Sequence, residues 1–312
     1  MKTFQMPGTD LTVPQVVLGT MRINTLDDDA IRTLFNTALD AGVNFFDQAA
    51  FYGSQPHDCE SRWGQAMKLT PSQRDGITLQ TKAGIVHSSQ GTRFDFSYDE
   101  LTTSVDASLK ALNTDHIDIL LLHRPDALVE PEEVARAFDE LEAAGKVRYF
   151  GVSNHTPAQI ELLKKFVKQP LVANQIQISL THCPSIAQGV AANMSWTDQA
   201  VSRDFGMVDY ARLHDMTLQA WSPFQNPDWS GTFIDNPNQP GLNAVLARMA
   251  KQYGTTPTGI ATAWLTRHPA HLQVVAGTMN PERLKEIVQG SSVPLTKADW
   301  YELFEAAGHI IP

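Results

Sequence analysis

Eight short β-rich runs alternate with segments of helical period, and this alternation constrains the fold more than any other feature of the chain. The runs are VVLG (16–19), VNFFD (43–47), ITLQTK (77–82), IDILLL (117–122), VRYFGV (147–152), LVANQIQI (171–178), TLQAW (217–221) and LQVVAG (272–277). Between the first two, Ile31, Leu34, Phe35, Ala38 and Leu39 recur at i, i+3, i+4, i+7 and i+8. That spacing gives one apolar helix face, which Gly42 can end with φ > 0. In the fourth crossover Val134, Ala137, Phe138 and Leu141 form the stripe and Gly145 ends it. The fifth opens with Thr156, Pro157 and Gln159, a capping-box start with proline at the first helical position.

Eight β-then-α units close into a (β/α)8 TIM barrel, of class α/β, and the 312-residue length suits one such domain over 1–312. A doubly wound dinucleotide-binding sheet would show G-x-G-x-x-G after a strand, and none occurs. Residues 1–13 are expected to form a β-hairpin over the barrel bottom, and TKADWYELFEAAG (296–308) an extra C-terminal helix packed outside. The segments after strands three, six and seven are long: GIVHSSQGTRFDFSY, SLTHCPSIAQGVAANMSWTD and SPFQNPDWSGTFIDNPNQP. In a barrel these loops build the active-site face.

Charge and composition narrow the class of partner. A net charge of −10 disfavours nonspecific attraction to nucleic acid or an anionic membrane. No apolar run reaches the roughly 18 residues of a membrane span. MKTFQMPGTD has no signal-like apolar core, and Cys59 and Cys183 are the only cysteines. A cytoplasmic location is therefore expected, with neither nucleic acid nor membrane as partner. No metal cluster is expected either. No heptad or apolar outer stripe marks an interface, so the oligomeric state is not legible.

Four polar residues fall at or just beyond the ends of the early strands. Asp47 follows VNFF, Lys82 closes ITLQT, His123 follows IDILLL, and Tyr52 lies in the loop after Asp47. A carboxylate beside a packed strand needs a partner, and a buried lysine would supply the counter-charge. The ammonium is expected to favour the Tyr52 phenolate and draw its pKa, about 10 when unperturbed, toward working pH. His123 would bond the same oxygen or a substrate carbonyl. Each residue type also has an ordinary structural use, as cap, solvated cation, satisfied imidazole or rim aromatic; the ordered set of four points to proton delivery.

The ordered fragments FDQAAFYG (46–53) with Glu60 and Gly64, TKAG (81–84), LLHRPD (121–126), GKVRYFGVSN (145–154), NQIQIS (174–179), WSPF (221–224) and GTMNPERLKE (277–286) resemble the aldo-keto reductase family over essentially the whole chain. The resemblance implies Tyr52 as general acid, Lys82 and Asp47 as the pair that tunes it, and His123 as the residue orienting the carbonyl. It also implies hydride from NADP(H), because no side chain supplies one. The implied cofactor contacts are Gly19, Thr20, Met21, Asp47, Ser153, Asn154, Gln175, Trp221, Ser222, Pro223, Phe224, Gly277, Thr278, Arg283 and Glu286. Trp221 would stack on the nicotinamide, and Arg283 would meet a 2′-phosphate. Gln48, Ala50, Gly277, Asn280 and Ile287 depart from the family pattern, which bears on cofactor selectivity more than on chemistry.

Small or aromatic carbonyl compounds are the expected substrates, walled by Met21, Phe51, Phe94, Trp196 and Trp229, with Arg22, Arg93 and Arg124 leaving room for anionic groups. Two other readings compete. One is a nicotinamide-sensing regulatory subunit with little turnover; the other is a metal-dependent barrel hydrolase, which would call for a grouping such as His-x-His on an early strand, absent here. The reverse reaction, alcohol oxidation, would use the same site.

Overall fold

The computed structural model describes residues 1–88 and 91–312; Ser89 and Gln90, within the long segment after the third expected strand, lie outside them. Twelve strands are present among the described residues: β1 (Thr3–Gln5), β2 (Thr12–Pro14), β3 (Val16–Gly19), β4 (Phe45–Asp47), β5 (Thr78–Ala83), β6 (Ile85–Ser88), β7 (Gly91–Phe94), β8 (Ile117–Leu122), β9 (Val147–Ser153), β10 (Leu171–Gln177), β11 (Thr217–Trp221) and β12 (Gln273–Ala276). Eight of them close into a barrel in the order β10-β11-β12-β3-β4-β5-β8-β9. Each neighbouring pair is parallel. All eight expected strands are these eight, so the barrel reading holds.

β1 and β2 pair antiparallel and cover the strands' N-terminal end, the position anticipated for residues 1–13. Met6 and Val13, both fully buried, join Val17, Phe45, Ile119 and Val172 of the barrel in one apolar cluster. The larger apolar cluster lies between strands and helices, where Ile31, Leu34, Phe35 and Ala38 of the helix Asp28–Asp40 are buried. Leu39 of that stripe is 38% exposed, at the edge of the packed face. Gly42 and Gly145 adopt φ of +86° and +68° just past their helices, the left-handed geometry that ends a helix without Cβ strain. At Thr156 the backbone N–H donates to Gln159 Oε1 at 2.8 Å. A helix spans Lys297–Ala306 as expected, with Trp300 stacked on Trp264 at 4.8 Å.

β6 and β7 form an antiparallel hairpin in what the sequence offered only as a long loop. Gly64, in the helix Asp58–Met67, marks a close approach: a Cβ there would lie 2.1 Å from the Ala111 carbonyl oxygen of the helix Tyr98–Leu112.

Candidate active site

Barrel closure brings Asp47, the last residue of β4, beside Lys82, the fifth residue of the neighbouring β5. Both are buried, and Lys82 Nζ donates to both Asp47 carboxylate oxygens at 2.7 Å. The same ammonium donates to the Gln48 carbonyl at 2.8 Å and reaches the Tyr52 hydroxyl at 3.0 Å. A buried ion pair survives only when its remaining hydrogen-bonding capacity is met. Here Asp47 Oδ1 also accepts from Gln80 Nε2 at 2.6 Å and Gln175 Nε2 at 3.1 Å.

Those glutamines extend into a network the sequence reading missed. Gln80 and Gln219 exchange amide hydrogen bonds at 2.9 and 3.1 Å, and Gln175 donates to Gln219 at 3.0 Å. Gln219 in turn donates to Gln273 at 3.0 Å, and Gln273 to the Pro14 carbonyl at 2.8 Å. The available signal was a glutamine inside each of ITLQTK, TLQAW and LQVVAG, and the first of the two in NQIQ.

Burial opposes the charge on Lys82, but Asp47 and then Tyr52 outweigh it and raise its pKa above the ordinary lysine value. The expected fall in the Tyr52 pKa is reversed: burial of the phenol raises it, and the Lys82 ammonium only partly offsets that. Spacing in a sequence conveys a neighbouring charge but not the loss of water. At neutral pH the pair is thus an ammonium beside an intact phenol. His123 stands edge-on to the Tyr52 and Phe51 rings, with centroids 5.8 and 6.1 Å away. Burial, then Lys82 and Arg124, hold its pKa well below 6.5, so its imidazole is neutral and can donate one hydrogen bond.

These groups adjoin a cleft of about 1460 Å³. Asp47, Tyr52 and His123 line it, and Lys82 touches it through Tyr52. Gly19, Met21, Ser153, Asn154, Gln175, Trp221, Ser222, Pro223, Phe224, Gly277, Thr278, Arg283 and Glu286 line it as well. Thr20 does not: it is buried, and its hydroxyl is spent on the Asp47 carbonyl and Gln48. Of the expected apolar wall, Met21, Phe51 and Trp229 face the cleft, whereas Phe94 and Trp196 are exposed elsewhere. Arg22 and Arg124 line it; Arg93 does not, and it pairs with Asp95 at 3.6 Å.

The donors of the expected carboxamide cradle are largely committed within the protein. Asn154 Nδ2 bonds Ser153 Oγ and the His123 carbonyl, and Asn154 Oδ1 accepts from Trp221 Nε1 at 3.0 Å. Ser153 Oγ donates to the Gln175 carbonyl at 2.8 Å. Among the described residues Gln175 Oε1 has no partner, which suits the amino side of a carboxamide. At the other end of the lining, among the described residues, the N–H groups of Thr278 and Met279 are unbonded ahead of the helix Pro281–Gly290, and Arg283 makes no ion pair. That donor set, with a cleft of this size, fits a dinucleotide with its phosphates near the helix start. Ile287 is fully buried in the core rather than facing a ligand.

The sequence profile of the Aldo/keto reductase family matches residues 15–307. The chain belongs to the aldo/keto reductase family. It is 34% identical over 307 residues to the 6-dehydroglucose reductase of Agrobacterium fabrum, covering 95% of either chain. It is also 34% identical over 280 residues to the oxidoreductase YdhF of Escherichia coli K12, covering 88% of this chain and 86% of that one. A thermostable aldo-keto reductase solved with the inhibitor epalrestat superposes with a TM-score of 0.76 at 24% identity, over 98% of this chain and 100% of the other, and supports the fold. An aldo/keto reductase of this kind is an oxidoreductase, and the named relatives include a reductase. No helix among the described residues is long and apolar enough to cross a membrane.

Proposed function

We propose that this aldo/keto reductase converts aldehydes or ketones to alcohols with NADPH, and that Tyr52 is its general acid. The observation that carries the proposal is the buried Lys82 ammonium, held by Asp47 at 2.7 Å and set 3.0 Å from the Tyr52 hydroxyl at the cleft. NADPH, when bound, supplies the hydride that reduces the carbonyl carbon. As that carbon gains the hydride, the π electron pair moves to oxygen, which takes the Tyr52 proton. Lys82 stabilises the phenolate left behind, and Asp47 keeps Lys82 charged. Neutral His123 donates to the same oxygen and fixes the carbonyl's orientation. Arg283 and the free N–H groups of Thr278 and Met279 hold the phosphates, and Trp221 and Gln175 Oε1 hold the nicotinamide end.

Tyr52→Phe keeps the ring and removes the proton. Turnover followed at the NADPH absorbance band should fall on the order of 10²- to 10⁴-fold, while cofactor still quenches tryptophan fluorescence. Near wild-type turnover in that variant would end the assignment of Tyr52. The cofactor preference rests on Arg283, so quenching titrations should give tighter binding of NADPH than NADH, with Arg283→Gln erasing the difference. Equal affinity in the parent protein would remove the NADP preference.

A further inference from the structure

Three arginines line the cleft; one is bonded within the protein, and another lies at the helix start proposed above for the cofactor phosphates. Arg22 Nη1 donates to the Gly277 carbonyl at 3.0 Å, and Arg283 sits in the first turn of the helix Pro281–Gly290. Arg124 is different. It follows His123 directly, is half-buried, and among the described residues makes neither an ion pair nor a hydrogen bond. Its only contact of that kind is the face of Trp221, whose ring centre lies 5.4 Å from the guanidinium carbon. The nearby acids are taken: Asp47 belongs to Lys82, and Asp126 accepts from the backbone N–H groups of Phe96 and Leu128.

A guanidinium carries five donors in a planar fork that matches a carboxylate or phosphate, and leaving it unpaired away from bulk water is costly. Its charge is felt at Tyr52 and His123, which places it at the reacting end of the cleft. We infer that Arg124 is a specificity residue for an oxyanion on the substrate: the carbonyl compound carries a carboxylate or phosphate a few bonds from the reacting carbon, and the Arg124 fork holds it against Trp221. The assignment rests on the reductase reading of the same site. It shifts the expected substrates from plain apolar aldehydes toward short carbonyl acids.

Matched substrates test it. Butanal and succinic semialdehyde have the same carbon count and differ in a terminal carboxylate; glyceraldehyde and its 3-phosphate form the phosphate pair. The ratio of kcat/KM for the charged to the uncharged member should exceed one in the parent enzyme, and which pair shows the larger ratio tells carboxylate from phosphate. Arg124→Gln should collapse that ratio on the order of 30-fold, mostly through KM, the loss expected for a charge-assisted contact. Arg124→Lys should recover part of it. A ratio at or below one in the parent, or a ratio unchanged by Arg124→Gln, overturns the inference. So does an unchanged ratio accompanied by weaker NADPH quenching, which assigns the guanidinium to the cofactor instead.

A binding arm separates this inference from the reductase proposal. Calorimetric titration of succinate and of inorganic phosphate into the protein with NADP present should show binding that Arg124→Gln abolishes. If no carbonyl compound is reduced but this binding is present and lost in the variant, the reductase proposal fails and the anion site stands. If carbonyls are reduced and neither anion binds, the anion site fails alone.

Discussion

Lys82 has no solvent to fall back on, and this sets the cost of altering it. Lys82→Met leaves Asp47 as a buried carboxylate supported only by amides, and urea unfolding should show a loss of about 3–5 kcal/mol. Asp47→Asn combined with Lys82→Met removes the stranded charge and should recover much of that loss. A double variant as unstable as the single one would mean that packing, not charge, governs the site. At this scale the four residues were legible because each follows an apolar strand, and in this fold strand ends converge. The partners of Asp47 were not: Gln80, Gln175 and Gln219 alternate with apolar residues as any strand polar residue does, and only closure turns them toward one carboxylate. The Tyr52 pKa was misread for a related reason, since desolvation belongs to the folded site and leaves no mark on the spacing of residues. Arg124 stood in a named motif, yet its want of a counter-ion is a property of three dimensions.

Helix packing gives a prediction whose sign is diagnostic. In an exposed helix interior, glycine to alanine stabilises by roughly 1 kcal/mol. Gly64→Ala should do the reverse, costing at least about 1–3 kcal/mol, because the added methyl meets the Ala111 carbonyl of the helix Tyr98–Leu112. A raised denaturation midpoint would show that the two helices separate easily. The helices themselves were legible from apolar stripes and terminal glycines, and the barrel strands from their apolar runs. The β6–β7 hairpin was not, because the β7 residues are exposed and those of β6 at most half-buried, so no alternation of inside and outside is written into them. Phe94 and Trp196 were assigned to the cleft from residue type alone; what decides their exposure is the path of long loops, on which type is silent.

Across the whole molecule, buried imidazoles couple stability to pH. His155 is enclosed against Phe96, bonds the Ser153 carbonyl at 2.9 Å, and has its pKa pushed down to about 4 by burial. Burial, with Lys82 and Arg124, also holds His123 well below 6.5. The native state holds these rings neutral, whereas the unfolded chain protonates them near 6.5. Between pH 6.5 and about 4 the unfolded state therefore binds more protons, and stability falls as pH falls; above 6.5 the contribution is fully present. His155 alone accounts for up to about 3 kcal/mol of that slope. Urea midpoints measured from pH 7 to 4.5 should decline, and His155→Gln should flatten the decline; an unchanged slope in the variant would place the coupling elsewhere. The chain of amides through the barrel has a different reach. Asp47 and the Pro14 carbonyl can only accept, so both ends of the chain are fixed and no amide between them can turn over without breaking its neighbours' bonds. The orientation of the carboxylate is thus tied, through three glutamines in series, to a backbone oxygen in the hairpin on the far side of the barrel, and trimming that hairpin would loosen Asp47 without touching a single group that lines the cleft.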